Sequence, residues 1–264
     1  MAPAPLAGIC FDALGTLFDL EPLLDEIDER LVPGASDSFL SRFVPWTWLA
    51  TAAERWQPVD EIARSALVAS AAEQAVRVDE ATVSELVTRL RRLPLAEGAE
   101  DALRELAPAQ LAVLSNSGQD GIKALVHNAG VAQLLLHLLS ADQVGRYKPA
   151  PQVYALASIA FGVSSDRVLM VSAHDWDIAG ARLAGMRTAW ISHGRQQGPA
   201  LGMAPDIVVE SLARLPDVLA QHGLIAFEPS GTTIPGRPLP PGSMYSGQDQ
   251  ISADSFPASD PPAY

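Results

Sequence analysis

Two patterns of apolar residues alternate along the chain and predict its elements. Short apolar runs predict six buried strands, at residues 7–12, Leu111–Leu114, Leu138–Ser140, Val168–Val171, Thr188–Ile191 and Ile207–Val209. Between most of these runs, apolar residues recur at three- and four-residue spacing, which is typical of amphipathic helices. Strands that alternate with helices in this way predict an α/β fold with a parallel sheet covered on both faces.

A long helical block interrupts this alternation directly after the first strand. Residues 19–96 show helical spacing almost throughout, for example at Glu61–Ala75 and Glu80–Arg92. We therefore predict a core formed by residues 1–19 and 97–225, with residues 20–96 inserted as a helical cap. A cap over the strand ends would enclose a small substrate, because small-molecule sites are common where two domains meet.

Residues 226–264 differ in composition from the rest of the chain. They contain eight of the 21 prolines, together with Gly, Ser and Asp residues and little periodicity. This composition predicts a tail that is disordered or draped over the surface. Its segment Ser255–Pro262 is compact enough to be a docking peptide, although a solvated tail also accounts for it.

Composition and charge narrow the function classes. With 264 residues, 48% of them hydrophobic, the chain is long enough to fold around a large core. Its net charge of −13 argues against nucleic acid and anionic membranes as partners, since both reward clustered Lys and Arg. A small anionic substrate is still compatible with this charge, because a site can be locally basic.

The N-terminal region and the single cysteine indicate the compartment. Cys10 is the only cysteine, so no internal disulfide can form, and its place in the first strand favours simple burial. The N-terminus lacks the basic and apolar regions of a signal peptide, and no apolar run reaches the ~20 residues of a membrane span. We therefore expect a cytoplasmic protein.

Polar residues form four segments at predicted strand ends, where open α/β sheets bind ligands. The first strand ends on Asp12, and a tight Gly15-Thr16 turn follows at once. The other three segments are Ser115–Ser117, Arg146–Pro149 with Tyr154 beyond it, and Ser172–Asp177. A carboxylate such as Asp12 can act as a covalent nucleophile. Each segment alone is a weak signal, but together in this order they predict one polar site.

In this order the segments resemble the motifs of the haloacid dehalogenase superfamily, and more narrowly those of the type II 2-haloacid dehalogenases. The resemblance covers residues 5–223 and rests on Phe11–Asp19, Leu114–Asn116, Tyr147–Tyr154, Trp176–Ala181 and, in the cap, Trp46–Leu49. It implies a Rossmann-like, doubly wound core with an inserted helical cap. It also implies a hydrolase that acts on short 2-haloalkanoic acids, often as a homodimer.

The residues at two sequence positions distinguish the phosphatases of this superfamily from the dehalogenases. A Mg²⁺-dependent phosphatase needs a second acid two residues after the nucleophile and a metal-binding acid four residues before the last one. Leu14 and Ala173 occupy those positions. A halide leaves as an anion and needs neither group, so the residues favour a metal-independent dehalogenase without a cofactor. The alternatives are a Mg²⁺-dependent phosphatase, with Asp175 as a shifted ligand, and a weakly catalytic protein with a partner-docking tail.

The resemblance implies a role for each matching residue. Asp12 would displace halide from C2 of the substrate and form an aspartyl ester, which water then hydrolyses. Lys148 would pair with Asp12, and Asp177 would orient or activate the water. The remaining residues would hold the substrate carboxylate, line the substrate and halide site, or position the lysine: Thr16, Ser115, Asn116, Trp176, Leu14 and Tyr154.

Two residues depart from the type II pattern. His174 stands where the family typically has Asn, and it could bind water, act as a base or simply pack beside Trp176. Arg42 lies 30 residues after Asp12, close to the position of the cap arginine that contacts halide and carboxylate in the family. It lies two residues nearer to Trp46 than the pattern requires. Either Arg42 is that arginine, or the cap arginine is absent.

Overall fold

The computed structural model describes residues 6–195 and 200–225, so the predictions for residues 226–264 lie outside the described residues. The described part contains six strands: β1 (Gly8–Phe11), β2 (Leu111–Ser115), β3 (His137–Ser140), β4 (Val168–Ser172), β5 (Arg187–Ile191) and β6 (Ile207–Val209). They form one sheet in the order β3-β2-β1-β4-β5-β6, and all neighbours are parallel. The predicted α/β fold with a parallel sheet is confirmed.

Strand β1 lies in the interior of this sheet, with β2 on one side and β4 on the other. In the register of these pairs, Phe11 stands beside both Val113 and Val171. The chain leaves β1 at Asp12, between the carboxyl ends of the two neighbouring strands. Because the strand order reverses at this point, Asp12 lies where open α/β sheets bind their ligands.

Within the described ranges the chain forms nine α-helices. They are α1 (Glu21–Arg30), α2 (Ala35–Ala52), α3 (Val59–Glu73), α4 (Glu80–Arg89), α5 (Ala99–Leu106), α6 (Gln119–Asn128), α7 (Pro151–Phe161), α8 (Asp175–Leu183) and α9 (Leu215–Gln221). Helix α7 illustrates how the sequence sets such bounds. Pro151 stands at its start, where no main-chain N–H is needed, and Gly162 ends it with a left-handed φ of 65°.

Helices α1 to α4 lie between β1 and α5 and form the inserted cap. Helix α2 packs against α1 and α3, and α4 packs against α1 and α3. Their inward faces carry buried apolar side chains such as Ile27, Phe39 and Leu67. The helical cap predicted from the sequence is therefore present, while its boundaries at residues 20 and 96 stay predictions.

Successive side chains of a strand point in opposite directions, so the side chains on the two faces of β1 pack in different apolar clusters. Ile9 and Phe11 belong to the larger cluster, which continues into the cap. Cys10 belongs to the other cluster, together with Met170 and Tyr154. Cys10 is wholly buried, as predicted, and burial raises the pKa of its thiol to about 12.

Several predicted helix ends differ from the structure. The helices predicted to reach Ala75 and Arg92 end at Glu73 and Arg89. Near the end of the described residues, Leu212–Arg214 form a 3₁₀ turn, and α9 starts at Leu215, where the following proline favours the first helical turn. Within the described ranges, no helix combines the length and apolar character needed to cross a membrane.

Candidate active site

A lysine bridges two aspartates at the carboxyl edge of the sheet. Lys148 Nζ lies 3.0 Å from Asp12 Oδ1 and 3.0 Å from Asp177 Oδ2. The side chains of Lys148 and Asp177 are 0% exposed and that of Asp12 is 8% exposed. Asp12 follows β1, Lys148 precedes α7, and Asp177 lies in the first turn of α8. The fold thus joins three of the predicted site residues in one buried cluster.

Burial and charge oppose each other in this cluster. Burial alone would lower the pKa of the Lys148 ammonium, but the charges of Asp12 and Asp177 raise it above its ordinary value. Burial raises the pKa of Asp177, and the nearby Lys148 ammonium only partly reverses this effect. Lys148 therefore stays charged, and Asp177 is a stronger base than a carboxylate in water.

Tyr154 fixes the second oxygen of Asp177. Its hydroxyl donates to Asp177 Oδ1 at 2.7 Å and lies 3.2 Å from the main-chain oxygen of the same residue. Burial, reinforced by the Asp177 charge, raises the pKa of Tyr154 well above its ordinary value, so the phenol remains a donor. Gly180 leaves room for this contact, since a Cβ there would lie 2.5 Å from the Tyr154 hydroxyl oxygen.

The turn after β1 orients the second oxygen of Asp12. Thr16 Oγ1 donates to Asp12 Oδ2 at 3.0 Å and accepts from the Ala173 N–H at 3.0 Å. Gly15 has a left-handed φ of 75°, which glycine adopts without strain. Both oxygens of Asp12 therefore receive a hydrogen bond, and the loop between β4 and α8 is tied to the carboxylate through Thr16.

The same turn leaves two main-chain donors free. Within the turn, the N–H of Gly15 donates to the main-chain oxygen of Phe18, and the N–H of Thr16 donates to the main-chain oxygen of Ala13. The N–H groups of Ala13 and Leu14 make no hydrogen bond within the described part of the chain. Two adjacent donors beside a carboxylate are suited to bind an anionic group of a substrate. Leu14 thus offers its main chain to the site, while its side chain packs against the larger apolar cluster.

Ser115 is the last residue of β2, the strand beside β1, and Asn116 follows it, as the sequence predicts. Ser115 Oγ accepts from the Ser117 N–H at 3.0 Å, which leaves its hydroxyl hydrogen available for another acceptor. Asn116 Oδ1 accepts from the Lys148 N–H at 2.8 Å. Because the oxygen of Asn116 is already used, its NH₂ group is the part that can face a ligand.

His174 packs over the turn that follows Asp12. Its Nε2 lies 2.9 Å from the main-chain oxygen of Leu14 and 3.5 Å from Asp12 Oδ2. A carbonyl oxygen only accepts, so Nε2 carries the proton in this contact. A Cβ on Gly15 would lie 3.1 Å from the His174 ring, so the glycine also makes space for the histidine.

Two tryptophans connect His174 to the cap. Trp176 stacks on His174 with 5.4 Å between ring centroids, and Trp48 of α2 meets Trp176 edge-on at 5.6 Å. The Trp48 Nε1 atom is buried and has no partner within the described residues. Trp176 therefore lies at the contact between core and cap, next to Asp177 in the sequence.

Arg42 does not join this cluster. Its guanidinium donates to the main-chain oxygen of Ser38 at 2.9 Å and to Ser38 Oγ at 2.6 Å, and it pairs with Glu73 at 2.9 Å. Ser38 lies one helical turn earlier on α2, so the side chain runs along its own helix towards α3. The expectation that Arg42 is the cap arginine of the site gains no support from this geometry.

Ser172 opens the fourth polar segment found in the sequence, but the sequence motifs assigned it no role. It ends β4, it is wholly buried, and its Oγ accepts from the His174 N–H at 3.2 Å. Like Asp12 and Ser115, it is a polar residue at the carboxyl end of a buried strand.

An ammonium group joins the two carboxylates of the pair. Lys148 Nζ lies between Asp12 and Asp177, where a divalent cation would need their oxygens. Leu14 and Ala173 supply no further ligand. In residues 6–195 and 200–225, no group of three or more His, Cys, Asp or Glu side chains could hold a metal ion.

Fold and site together define an α/β protein with a paired aspartate-lysine centre beside an inserted helical cap. The family model of haloacid dehalogenase-like hydrolases matches residues 6–185. The chain belongs to this family of hydrolases. It is thus an enzyme of the kind that the motifs predicted.

Curated relatives and solved structures agree with this assignment. Haloacetate dehalogenase H-2 of Moraxella sp. (strain B) is 31% identical over 222 residues, which are 81% of this chain and 98% of that protein. The (S)-2-haloacid dehalogenase of Pseudomonas sp. (strain YL) is 35% identical over 213 residues, 78% of this chain and 91% of that protein. The structure of L-2-haloacid dehalogenase from Xanthobacter autotrophicus with chloropropionic acid covalently bound superposes with a TM-score of 0.77 at 26% identity, covering 81% of this chain and 98% of that one. The resemblance to type II 2-haloacid dehalogenases is confirmed.

Proposed function

We propose that this protein hydrolyses short 2-haloalkanoic acids through an aspartyl ester on Asp12, without a metal ion. The observation that carries the proposal is the position of Lys148 Nζ, 3.0 Å from the carboxylates of both Asp12 and Asp177. One carboxylate can attack carbon and the other can act on water, while a single ammonium group holds both. Similarity to proteins named haloacetate dehalogenase and (S)-2-haloacid dehalogenase supports this substrate class.

In the first step, an oxygen of Asp12 attacks C2 of the substrate from the side opposite the halogen. The C2–halogen bond breaks, the halide leaves with the electron pair, and C2 is inverted. Lys148 on Oδ1 and Thr16 on Oδ2 hold the carboxylate in one orientation, which favours in-line attack. No proton donor is needed, which fits the aliphatic side chain of Leu14.

The substrate carboxylate and the halide need separate donors. The free N–H groups of Ala13 and Leu14, with the Ser115 hydroxyl, are suited to the carboxylate. The NH₂ group of Asn116 and the edge of the Trp176 ring are suited to the halide. His174 lines the same region, but its Nε2 proton is already shared with the Leu14 carbonyl, so we assign it the positioning of the turn beside Asp12.

In the second step, water attacks the ester carbonyl carbon of Asp12. Asp177 accepts a proton from this water, and the higher pKa that burial gives Asp177 suits it to this task. The bond between the carbonyl carbon and the substrate oxygen then breaks, and that oxygen takes the proton from Asp177, so the 2-hydroxy acid leaves. The carboxyl group re-formed on Asp12 loses its remaining proton to solvent. Tyr154 keeps Asp177 in place throughout, since its hydroxyl donates to Oδ1.

Halide release tests the proposal directly. We expect wild-type protein to release chloride from at least one enantiomer of 2-chloropropionate, equally well with EDTA or with added Mg²⁺. Asp12→Asn should abolish release because the amide is a poor nucleophile. Asp19→Asn is the matched control, since Asp19 lies in the same loop and only accepts the Glu21 N–H.

Two outcomes would contradict this proposal. Absence of release from every 2-haloacid would exclude the substrate class. Release that EDTA abolishes, or hydrolysis of an aryl phosphate with added Mg²⁺, would favour the metal-dependent alternative instead.

We further propose that the protein acts in the cytoplasm as a homodimer, as the resemblance to type II dehalogenases suggests. Analytical ultracentrifugation of the full chain checks the oligomeric state. A single species at the mass of one chain, across micromolar concentrations, would contradict the dimer.

A further inference from the structure

The short segment that carries Lys148 is held by core and cap at two consecutive residues. The N–H of Lys148 donates to Asn116 Oδ1 in the core at 2.8 Å. The N–H of Tyr147 donates to Thr51 Oγ1, in the last turn of cap helix α2, at 2.9 Å. The main chain at the lysine is therefore located by both parts of the molecule.

The side chain of Tyr147 strengthens the contact on the cap side. Its hydroxyl donates to the main-chain oxygen of Gln57 at 2.6 Å, and its ring stacks on Trp56 with 4.6 Å between centroids and 23° between planes. Tyr147 is 0% exposed. We name this set of four residues, Tyr147, Thr51, Trp56 and Gln57, the Tyr147 clasp.

The hydroxyl bond of the clasp does not titrate under ordinary conditions. Burial raises the pKa of Tyr147 above its ordinary value, and the charges of Asp142 and Asp60 raise it further. The phenol therefore stays protonated and donates to a carbonyl that can only accept. By contrast, the nearby pair of Arg146 and Glu54 adds little, because the Glu54 side chain is 76% exposed and water screens the pair.

We propose that Tyr147 is a positioning residue that couples the cap to Lys148, so that the loop between α2 and α3 sets the place of the ammonium between the two aspartates. The inference rests on the proposed function, in which Lys148 holds both carboxylates. Lys148 Nζ reaches both at 3.0 Å from a wholly buried position, so a small displacement of its main chain lengthens one contact or the other. Misplacement by about 1 Å can lower a rate by ~10²-fold.

Two substitutions loosen the clasp by one hydrogen bond each. Tyr147→Phe removes the bond to Gln57 and keeps the ring on Trp56. Thr51→Val removes the acceptor of the Tyr147 N–H with little change in shape. Thr47→Val is the matched control, because Thr47 lies on the same helix and its hydroxyl bonds only the Val44 main-chain oxygen.

We expect both clasp variants to lower kcat by about tenfold or more with KM changed less than about threefold. The acid side of the pH profile should move to higher pH, because a displaced Lys148 no longer counteracts the effect of burial on the pKa of Asp177. Thr47→Val should leave kcat and the pH profile unchanged. Wild-type kcat and pH profile in both clasp variants, or equal losses in Thr47→Val, would overturn the inference.

A second readout does not depend on activity. The chain has two lysines, Lys148, which is wholly buried, and Lys123, which is exposed. Acetylation with acetic anhydride, followed by mass spectrometry, gives the modification of Lys148 relative to Lys123. Compared at temperatures equally far below the Tm of each variant, the ratio should rise in Tyr147→Phe and Thr51→Val but not in Thr47→Val.

An unchanged ratio in both clasp variants would overturn the inference even if wild-type protein releases halide. A raised ratio would support it even if no 2-haloacid is a substrate. If Tyr147→Phe fails to fold, Thr51→Val alone decides the outcome.

Discussion

Two ion pairs of almost equal length lie in very different surroundings. In the core, Lys148 and Asp177 are 3.0 Å apart and both side chains are 0% exposed. In the cap, Arg42 and Glu73 are 2.9 Å apart, with side-chain exposures of 24% and 54%. Distance alone would rank the two pairs as equivalent. Coulomb interactions are far stronger where water is excluded, so only the core pair can govern chemistry.

The pKa shifts of the two acids show this difference most clearly. The Ser38 hydroxyl and the Arg42 guanidinium lower the pKa of Glu73, as expected for an acid beside donors in water. Burial raises the pKa of Asp177 although Lys148 is equally close. Each acid is paired with a cation. Even so, Glu73 in the cap is a weaker base than an ordinary carboxylate, and Asp177 in the core is a stronger one.

Removal of the core cation should have the largest effect. Lys148→Met leaves Asp12 and Asp177 facing each other without a counter-charge, and we expect kcat to fall by at least ~10³-fold. Loss of one partner from a buried ion pair also lowers the free energy of unfolding by about 3–5 kcal/mol. Halide release and urea unfolding measure the two effects. A variant that keeps a tenth of wild-type kcat would show that the buried pair is only structural.

Asp177→Asn should separate the two chemical steps. Ester formation does not use Asp177 as a base, whereas hydrolysis loses its base, so steady-state turnover should fall by about 10²–10⁴-fold. Rapid mixing should then show a burst of about one halide per active site, and mass spectrometry should find the acyl group on the Asp12 peptide. Loss of the burst together with turnover would mean that Asp177 acts before the ester forms.

Tyr154→Phe tests the tuning of Asp177 with a smaller change. The Tyr154 hydrogen bond lowers the pKa of Asp177, so its removal raises that pKa further. Activity requires ionised Asp177, so the acid side of the kcat profile should move to higher pH. On the plateau, kcat should fall by about tenfold, the equivalent of one charged hydrogen bond of ~1.5 kcal/mol. An acid limb at the wild-type pH would contradict the assignment of Asp177 as the base.

Arg42→Gln should have the smallest effect. The guanidinium serves Ser38 and Glu73 on the cap, so kcat and KM for 2-chloropropionate should stay within about twofold of wild type. A rise in KM of tenfold or more would show that Arg42 turns from Glu73 to the substrate. That result would support the expectation that Arg42 is the cap arginine.

The sequence constrains the direction of side chains at the strand ends of the core more closely than on the helices of the cap. A polar residue that directly ends a buried strand has a fixed direction, because the strand orients it and the parallel sheet gathers all such ends. Asp12, Ser115 and Asn116 could be placed in this way. The direction of the Arg42 side chain could not be predicted in this way, because a long side chain on a helix surface can turn towards any of several neighbours. The spacing of Arg42 from the motifs along the sequence does not show whether its guanidinium meets a substrate carboxylate or Glu73.

The contacts of Tyr147 lay beyond the reach of sequence patterns for another reason. Its partner Gln57 is 90 positions away, and the bond uses a main-chain oxygen that every residue possesses. The motif identifies the lysine that follows Tyr147 but gives no sign that the tyrosine faces the cap. Such contacts depend on how two separately predictable units pack, which no local period records.

The rate at which Cys10 reacts with a thiol reagent can show whether the sheet is intact. Cys10 is the only cysteine of the chain, and it is wholly buried in β1, two positions before Asp12. A thiol reagent can reach it only when β1 separates from its neighbours, so the reaction rate under native conditions reports the free energy of global opening. A variant that loses turnover while Cys10 stays as unreactive as in wild type has lost chemistry and kept its fold.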